Sequence, residues 1–349
     1  MLVLGVESSC DETAVSLVED GRVLSSAVRT QVERHAPFGG VVPDIAARMH
    51  IEVVSAVAAE AFRQADRTPE QVDLVAATTE PGLVNCLVVG VAWARSFAVA
   101  RAVPFMAVDH LEAHIHACRM PPPGEAFDPD QVELPLVALL VSGGHTAIYR
   151  YEGPGELRRL AKTVDDAAGE AFDKVAVLLG LGYPGGPEIE REAKSGDPKA
   201  FDFPRGRVKK SPLDFSFSGL KTAVLYATRG QNKRRDAPLK EGIKVPDVAA
   251  SFQEAVCQTL VKSAVQAALN EEVNVLALGG GVACNGRLRE LATKKGEAKG
   301  LEVVCSERAY CTDNAAMIAS LAWARAEAGL GPNEEDLATP ASSRSGFGA

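Results

Sequence analysis

Three short apolar runs open the chain, at residues 2–6, 13–18 and 23–28. Polar residues 8–12 and the tripeptide Glu19-Asp20-Gly21 separate them, and Asp-Gly between apolar runs predicts a hairpin. From 43 to 65 the apolar positions change to helical spacing, so the pattern predicts three strands followed by an amphipathic helix. A strand at 72–79, a Pro81-Gly82 turn, a helix at 83–101, a strand at 103–108 and a short helix carrying His110 complete the order βββαβαβα. After the proline-rich residues 120–135 the order begins again, with strands at 136–141, 146–151 and 157–163 and a helix at 167–181. An irregular insertion at 182–245 interrupts it, with one helix predicted at 219–228. A helix at 246–270, a strand at 273–278, a helix at 283–295, a strand at 301–305 and a helix at 314–329 follow. The repetition predicts an α/β chain of two mixed-sheet domains around a central cleft. The expected halves are 1–108, joined by the closing helix 314–330, and 109–313. A tail at 331–349, poor in apolar residues, is expected to lack structure.

Composition changes this picture little. The 349 residues, 46% hydrophobic and 24% charged, suit an ordinary globular protein, and charge-free runs such as 81–94 fall short of the roughly 20 residues that span a bilayer. Glu7 interrupts the first apolar stretch, so no signal peptide and a cytoplasmic location are expected. Seven scattered cysteines without a CxxC pair fit a reducing compartment. The net charge of −9 argues against binding nucleic acid by bulk charge. Residues 201–244, however, carry eleven Lys or Arg against four Asp or Glu, a local +7 that leaves −16 elsewhere. Arg205, Arg207, Lys209 and Lys210 are its phosphate candidates. Phe215 and Phe217 read as core anchors, Ser218 as a helix cap, and Lys221 as a cation toward the cleft.

The candidate chemistry centres on His110-Leu111-Glu112-Ala113-His114. Histidines four apart share one face of a helix and suit two ligands of one metal ion. In zinc proteases the glutamate stands beside the first histidine, whereas Glu112 stands one place later. The carboxylates Asp11, Asp165, Asp166, Asp173 and Asp313 all lie at element ends, and spacing does not choose the third ligand among them. The turn Glu7-Ser8-Ser9-Cys10-Asp11-Glu12 of the first half, Ser142-Gly143-Gly144-His145 of the second, and Gly279-Gly280-Gly281 with Asn285 following form three candidate anion nests. Together these turns suggest a nucleotide-type ligand.

Taken in order, the motifs resemble those of the tRNA threonylcarbamoyladenosine-forming transferase family (TsaD), whose fold is the duplicated actin-like ATPase (ribonuclease H-like) fold. The resemblance runs from about residue 4 to 328. It rests on Glu7-Ser8-Ser9-Cys10-Asp11-Glu12-Thr13, Gly39-Gly40-Val41-Val42-Pro43, the histidine pair, and Leu140-Val141-Ser142-Gly143-Gly144-His145-Thr146. It also rests on Asp165 to Asp173, Tyr183-Pro184-Gly185-Gly186-Pro187, Phe215 to Lys221, Gly279 to Val282 with Asn285, and Cys311-Thr312-Asp313-Asn314. It implies one divalent ion, iron(II) or zinc, on His110, His114 and Asp313. It implies an adenylate site lined by Leu140, Val141, Ser142, Gly143, Gly144, Asp173, Gly186, Glu190 and Asn285, and a requirement for Asp11. The implied reaction moves threonylcarbamoyl from threonylcarbamoyl-adenylate to the exocyclic amine of the adenosine beside the anticodon, in tRNAs reading codons that begin with A. The implied partners are tRNA, an inactive paralogous subunit (TsaB-like) and a small ATPase (TsaE-like), with no membrane. Glu80, where the family usually has glycine, and Asn85-Cys86 depart from the pattern. The fold alone equally suits a small-molecule kinase or ATPase, and a metalloprotease is the other rival.

Overall fold

The computed structural model describes residues 1–206, 208, 211–231, 234 and 237–348. Arg207, Lys209 and Lys210 lie outside the described residues, while Arg205 is exposed. The chain runs β1 (Leu2–Glu7), β2 (Glu12–Glu19), β3 (Arg22–Thr30), α1 (Val32–His35), α2 (Pro43–Ala65), β4 (Leu74–Glu80), α3 (Val84–Arg101), β5 (Phe105–Asp109) and α4 (His110–His116). It continues through β6 (Leu136–Val141), β7 (Thr146–Gly153), β8 (Glu156–Lys162), α5 (Ala168–Leu179), α6 (Gly185–Ala193), α7 (Ser218–Arg229) and α8 (Val245–Asn270). β9 (Val275–Gly279), α9 (Gly286–Glu297), β10 (Glu302–Cys305) and α10 (Ala315–Glu327) complete it. Each sheet has five strands, ordered β3-β2-β1-β4-β5 and β10-β9-β6-β7-β8. In the first, the antiparallel meander β1–β2–β3 is extended by parallel β4 and β5; in the second, β6, β9 and β10 run parallel.

Two compact units result: residues 1–134, 151–158 and 306–349 form unit 1, and residues 135–150 and 159–305 form unit 2. The expected cut after Val108 falls inside unit 1. β5 runs directly into α4, because Asp109 ends the strand and its Oδ1 accepts from Leu111 N (2.7 Å) and Glu112 N (3.0 Å). The histidine helix therefore stays with the first sheet.

Alternation along the central strands of unit 1 sorts two cores. Leu2, Leu4 and Val6 pack with residues of α2 and α3, including Val57, Phe62, Val91 and Ala94. Val3 packs on the other face with Ala113 of α4 and with Ala316, Met317 and Ala319 of α10. Glu7 is in step with Val3, so the period of two aims its carboxylate at the α4 side. By length and composition α3 is apolar enough to cross a membrane. Its Leu87, Val91, Ala94 and Ala98 are buried in this unit, whereas Val84, Val88 and Val99 are exposed. In unit 2, β6 and β9 contribute Val137, Leu139, Val141, Leu276 and Leu278 to one core with α5, α8 and α9. Phe215 and Phe217 belong to that core.

Three expectations need correction. The insertion is not irregular throughout, since α6 occupies residues 185–193. Pro184 and Pro187 read as turn residues, but a proline in the first turn lacks only a donor that has no partner there. Ser218 is not the cap of α7: Asp165 accepts from Phe217 N (2.8 Å), Ser218 N (3.3 Å) and Ser218 Oγ (2.8 Å). Lys221 pairs with Asp166 at 3.0 Å. Finally, the tail is ordered on unit 1. Asn333 caps a 3-10 turn at Glu334–Leu337, and Arg95 donates to the carbonyls of Asp336 (3.0 Å) and Thr339. Ser342 N donates to Thr79 O (2.9 Å), Ser345 Oγ to Asp109 Oδ2, and Gly346 N to Glu80 Oε1 (3.0 Å). A polar composition argues against a core of its own, not against polar docking at the carboxyl ends of β4 and β5.

Candidate metal centre and nucleotide nest

In unit 1, one helical turn brings the rings of His110 and His114 to 4.6 Å between centroids, at 84° to each other. The turn before α10 supplies Asp313, whose Oδ1 lies 3.5 Å from His110 Nε2 and 3.1 Å from His114 Nε2. These donor atoms all lie within 4.8 Å of one another, as one ion requires. Both histidines are buried, and Asp313 is partly exposed.

Glu7 was not singled out from the sequence, yet it supports the triad. Its Oε2 accepts from His110 Nδ1 at 2.9 Å and from Thr78 Oγ1, while Oε1 accepts from Ser9 N. A carboxylate behind a ligand imidazole fixes the tautomer that presents Nε2 to a metal. Burial alone would raise the Glu7 carboxyl, but the charge and hydrogen bond of His110 outweigh it and hold it below its ordinary value. Burial likewise opposes charge on His110, and Glu7 and Asp313 overcome it to raise the imidazole to about 9. His114 shifts the other way, lowered by burial and by His110. The site thus concentrates negative potential on one imidazole edge, which suits a cation. The sequence signal for Glu7 was a carboxylate in an otherwise apolar and wholly buried strand. Glu7→Gln is expected to weaken metal binding about 10–100-fold, by competition with a chromophoric chelator. Unchanged affinity would remove Glu7 from this role.

Glu112 cannot serve as base for a metal-bound water here. It is fully buried, with Oε2 on Arg325 and Oε1 accepting from Gly155 N at 2.6 Å. Asp11 lies in the turn between β1 and β2, mostly buried, and its carbonyl accepts from Gln31 N at 3.0 Å. The same turn reaches the triad, since Ser9 Oγ stands 3.3 Å from His110 Nδ1. Glu12 is raised well above the usual carboxylate range by burial and then by Asp313 and Asp11. These three carboxylates therefore share one electrostatic neighbourhood.

Unit 2 joins its candidate residues through a closed circuit of short contacts. Leu140 and Val141 end β6, and Leu140 pairs with Gly279 of β9. Gly280 then turns at φ +88°, where a Cβ would stand 2.5 Å from Val141 O. Ser142 to His145 close a tight turn, with Ser142 N donating to His145 O at 2.8 Å. The start of α5 presses on this turn: a Cβ on Gly169 would stand 2.5 Å from Ser142 O. Asp173 of α5 accepts from Gly185 N (2.7 Å) at the start of α6, and Glu190 of α6 accepts from Gly286 N (2.9 Å) at the start of α9. Asn285 caps α9 through Leu288 N (3.0 Å) and donates to Gln253 Oε1 (2.7 Å). Among the described residues, nothing stands within 4 Å of where a Cβ would sit on Gly143, Gly144 or Gly186, which leaves that side of each backbone open to a ligand. Asp165 and Asp166 serve α7 and Lys174 instead. Gly280→Ala combines a strained φ with a backbone clash and is expected to cost about 1–3 kcal/mol. Chemical denaturation checks this, and a variant as stable as the parent would contradict the packing.

Comparison with known proteins follows the same lines. The chain is similar to HypF of T. kodakarensis (TM-score 0.62, 18% identity, 96% of this chain and 49% of that one). It is also similar to the Clostridium difficile activator of 2-hydroxyisocaproyl-CoA dehydratase, solved with bound ADPNP (TM-score 0.51, 12% identity, 94% and 97% covered). At such identity these likenesses concern the fold, which is the actin-like ATPase fold. Two sequence relatives are each named tRNA N6-adenosine threonylcarbamoyltransferase. That of Geobacter sulfurreducens is 49% identical over 91% of this chain and 90% of its own, and that of Syntrophobacter fumaroxidans 48% over 96% and 98%. A family model described as TsaD, tRNA N6-adenosine threonylcarbamoyltransferase, matches residues 22–320, and on these matches the chain belongs to that family.

Proposed function

We propose that the protein transfers the threonylcarbamoyl group of threonylcarbamoyl-adenylate to the exocyclic amine of the adenosine beside the anticodon, in tRNAs reading codons that begin with A. A nitrogen–carbon bond forms at the carbamoyl carbon, the bond from that carbon to the phosphate oxygen breaks, and AMP leaves. In unit 2 the amides around Gly143, Gly144 and Gly280 hold the phosphate. Asp173 and Glu190 are acceptors suited to ribose hydroxyls, and Asn285 fixes the α9 terminus beside them. Leu140, Val141, Ser142 and Gly186 complete this adenylate site.

In unit 1, His110, His114 and Asp313 hold a divalent ion, iron(II) or zinc, since two imidazoles and one carboxylate suit either. When bound, the ion supplies Lewis-acid polarisation of an acyl oxygen. Glu7 accepts from His110 Nδ1, so that the neutral ring turns its Nε2 lone pair to the site once a cation displaces the second proton. Asp11 accepts the proton that the amine loses as its bond to carbon forms. The observation that carries this reading is the convergence of His110, His114 and Asp313 on one point, with Glu7 behind His110. Family membership implies tRNA as the acceptor. We further propose a cytoplasmic enzyme that works with an inactive paralogous subunit and a small ATPase.

Purified protein, stripped by chelation and reloaded with iron(II) or zinc, is to be incubated with threonylcarbamoyl-adenylate and unmodified tRNA, with the two partners supplied. Modified nucleoside found by mass spectrometry only after reloading is the expected result, and the more active ion identifies the metal. No product with either ion, together with ADP formed from ATP and a small acceptor, would favour a kinase instead.

A further inference from the structure

Outside the triad, His50 of α2 and His35 of α1 are fully buried, as is His116 of α4. His50 Nε2 lies 3.0 Å from the Cys10 carbonyl oxygen, and its Nδ1 lies 2.7 Å from Thr13 Oγ1. A carbonyl only accepts, so Nε2 carries the proton. Burial lowers the basicity of His50, which favours the neutral ring, and Nδ1 then accepts from the Thr13 hydroxyl. One layer further out, Val42 N donates to His35 Nδ1 at 3.3 Å, which places the His35 proton on Nε2, toward Gln31 Oε1 at 3.1 Å. The backbone N–H of Gln31 donates to the Asp11 carbonyl. The carbonyls of Cys10 and Asp11 and the hydroxyl of Thr13 are thus all fixed, while none of these bonds uses the Asp11 carboxylate.

We infer that His50 is a positioning residue, which sets the Asp11 carboxylate for proton acceptance by gripping the chain on both sides of it, at Cys10 and Thr13. The inference rests on the proposed role of Asp11. A neutral ring donating at one nitrogen and accepting at the other grips a carbonyl and a hydroxyl at once, which no aliphatic side chain does. Misplacing a reacting group by about 1 Å costs on the order of 100-fold in rate.

The test is single-turnover transfer from threonylcarbamoyl-adenylate to unmodified tRNA by full-length, metal-loaded protein with its partners. The variants are Asp11→Asn, His50→Phe, His50→Gln, Thr13→Val and the Asp11→Asn/His50→Phe double. His50→Phe is expected to lower the maximal single-turnover rate constant about 10–100-fold, with the half-saturating concentrations of both substrates within about twofold of the parent and the metal content unchanged. His50→Gln, whose amide can still donate to Cys10 O, is expected to regain most of that loss. In the Asp11→Asn background the same His50→Phe change is expected to cost under about twofold, because its effect passes through the missing carboxylate. An equal loss in both backgrounds, or a parental rate for His50→Phe, overturns the inference. Should His50→Phe fail to fold, Thr13→Val runs the same cycle with a smaller expected loss, about 3–10-fold. If Asp11→Asn alone transfers at the parental rate, the proposed role of Asp11 fails first, and that outcome is visible without any change at His50.

Discussion

Asp313→Ala is expected to leave the protein without stoichiometric metal and to lower transfer about 1,000-fold or more. Two imidazoles on one turn hold a divalent ion weakly without an anionic third donor, and both histidine Nε2 atoms converge on Asp313 Oδ1. The loss of rate follows from the several kcal/mol that Lewis-acid polarisation supplies, at a factor of ten per ~1.4 kcal/mol. Elemental analysis of the purified variant, beside its modified-nucleoside yield, checks both halves. His114→Ala should behave alike. An Asp313→Ala protein that retained one ion per chain would mean that the ion sits elsewhere.

The largest expected effect on stability comes from Arg325→Ala. Arg325 donates to the fully buried Glu112 carboxylate and to Ala107 O at 3.3 Å. Its removal strands a negative charge inside unit 1, at a cost of about 3–5 kcal/mol. Replacing both partners, as Glu112→Gln with Arg325→Met, is expected to recover most of that loss, because no bare charge then remains. Both tryptophans, Trp93 and Trp323, belong to unit 1, so their fluorescence in a urea titration reports the unit concerned. A midpoint unchanged in Arg325→Ala would show that Glu112 finds another partner or a proton.

The parts of the site that local spacing determines were legible in the sequence. His110 and His114 needed only helical periodicity, and the two-residue glycine turn at Gly143-Gly144 needed only turn chemistry. Asp313 was not reachable in that way: it lies 199 residues beyond His114, in an irregular turn, and only resemblance to a family separated it from four other aspartates. Glu7 sat in plain view, but its direction has meaning only once α4 is known to cover that face of β1. The misread segments share a cause. α6 begins among prolines and glycines that usually mark turns, and the tail holds to unit 1 through single polar bonds that leave no periodic trace. Asp165 illustrates the same limit, because a carboxylate at an element end reads alike whether it caps its own helix or, as here, one that starts 53 residues later.

The distance along the chain between the two sides of the triad also bears on how the protein is made. At translation rates of roughly 5–20 residues per second, Asp313 leaves the ribosome about 10–40 s after His114. Glu7 and both imidazoles wait through that interval without their third donor, and Ser345, which bears on the Asp109 cap, comes later still. On the proposed triad, metal loading thus waits for the synthesis of Asp313, and a nascent chain arrested at Ser306 is expected to come away metal-free. The proposed site is in this sense timed by its last donor, and not by the histidine pair that the ribosome delivers first.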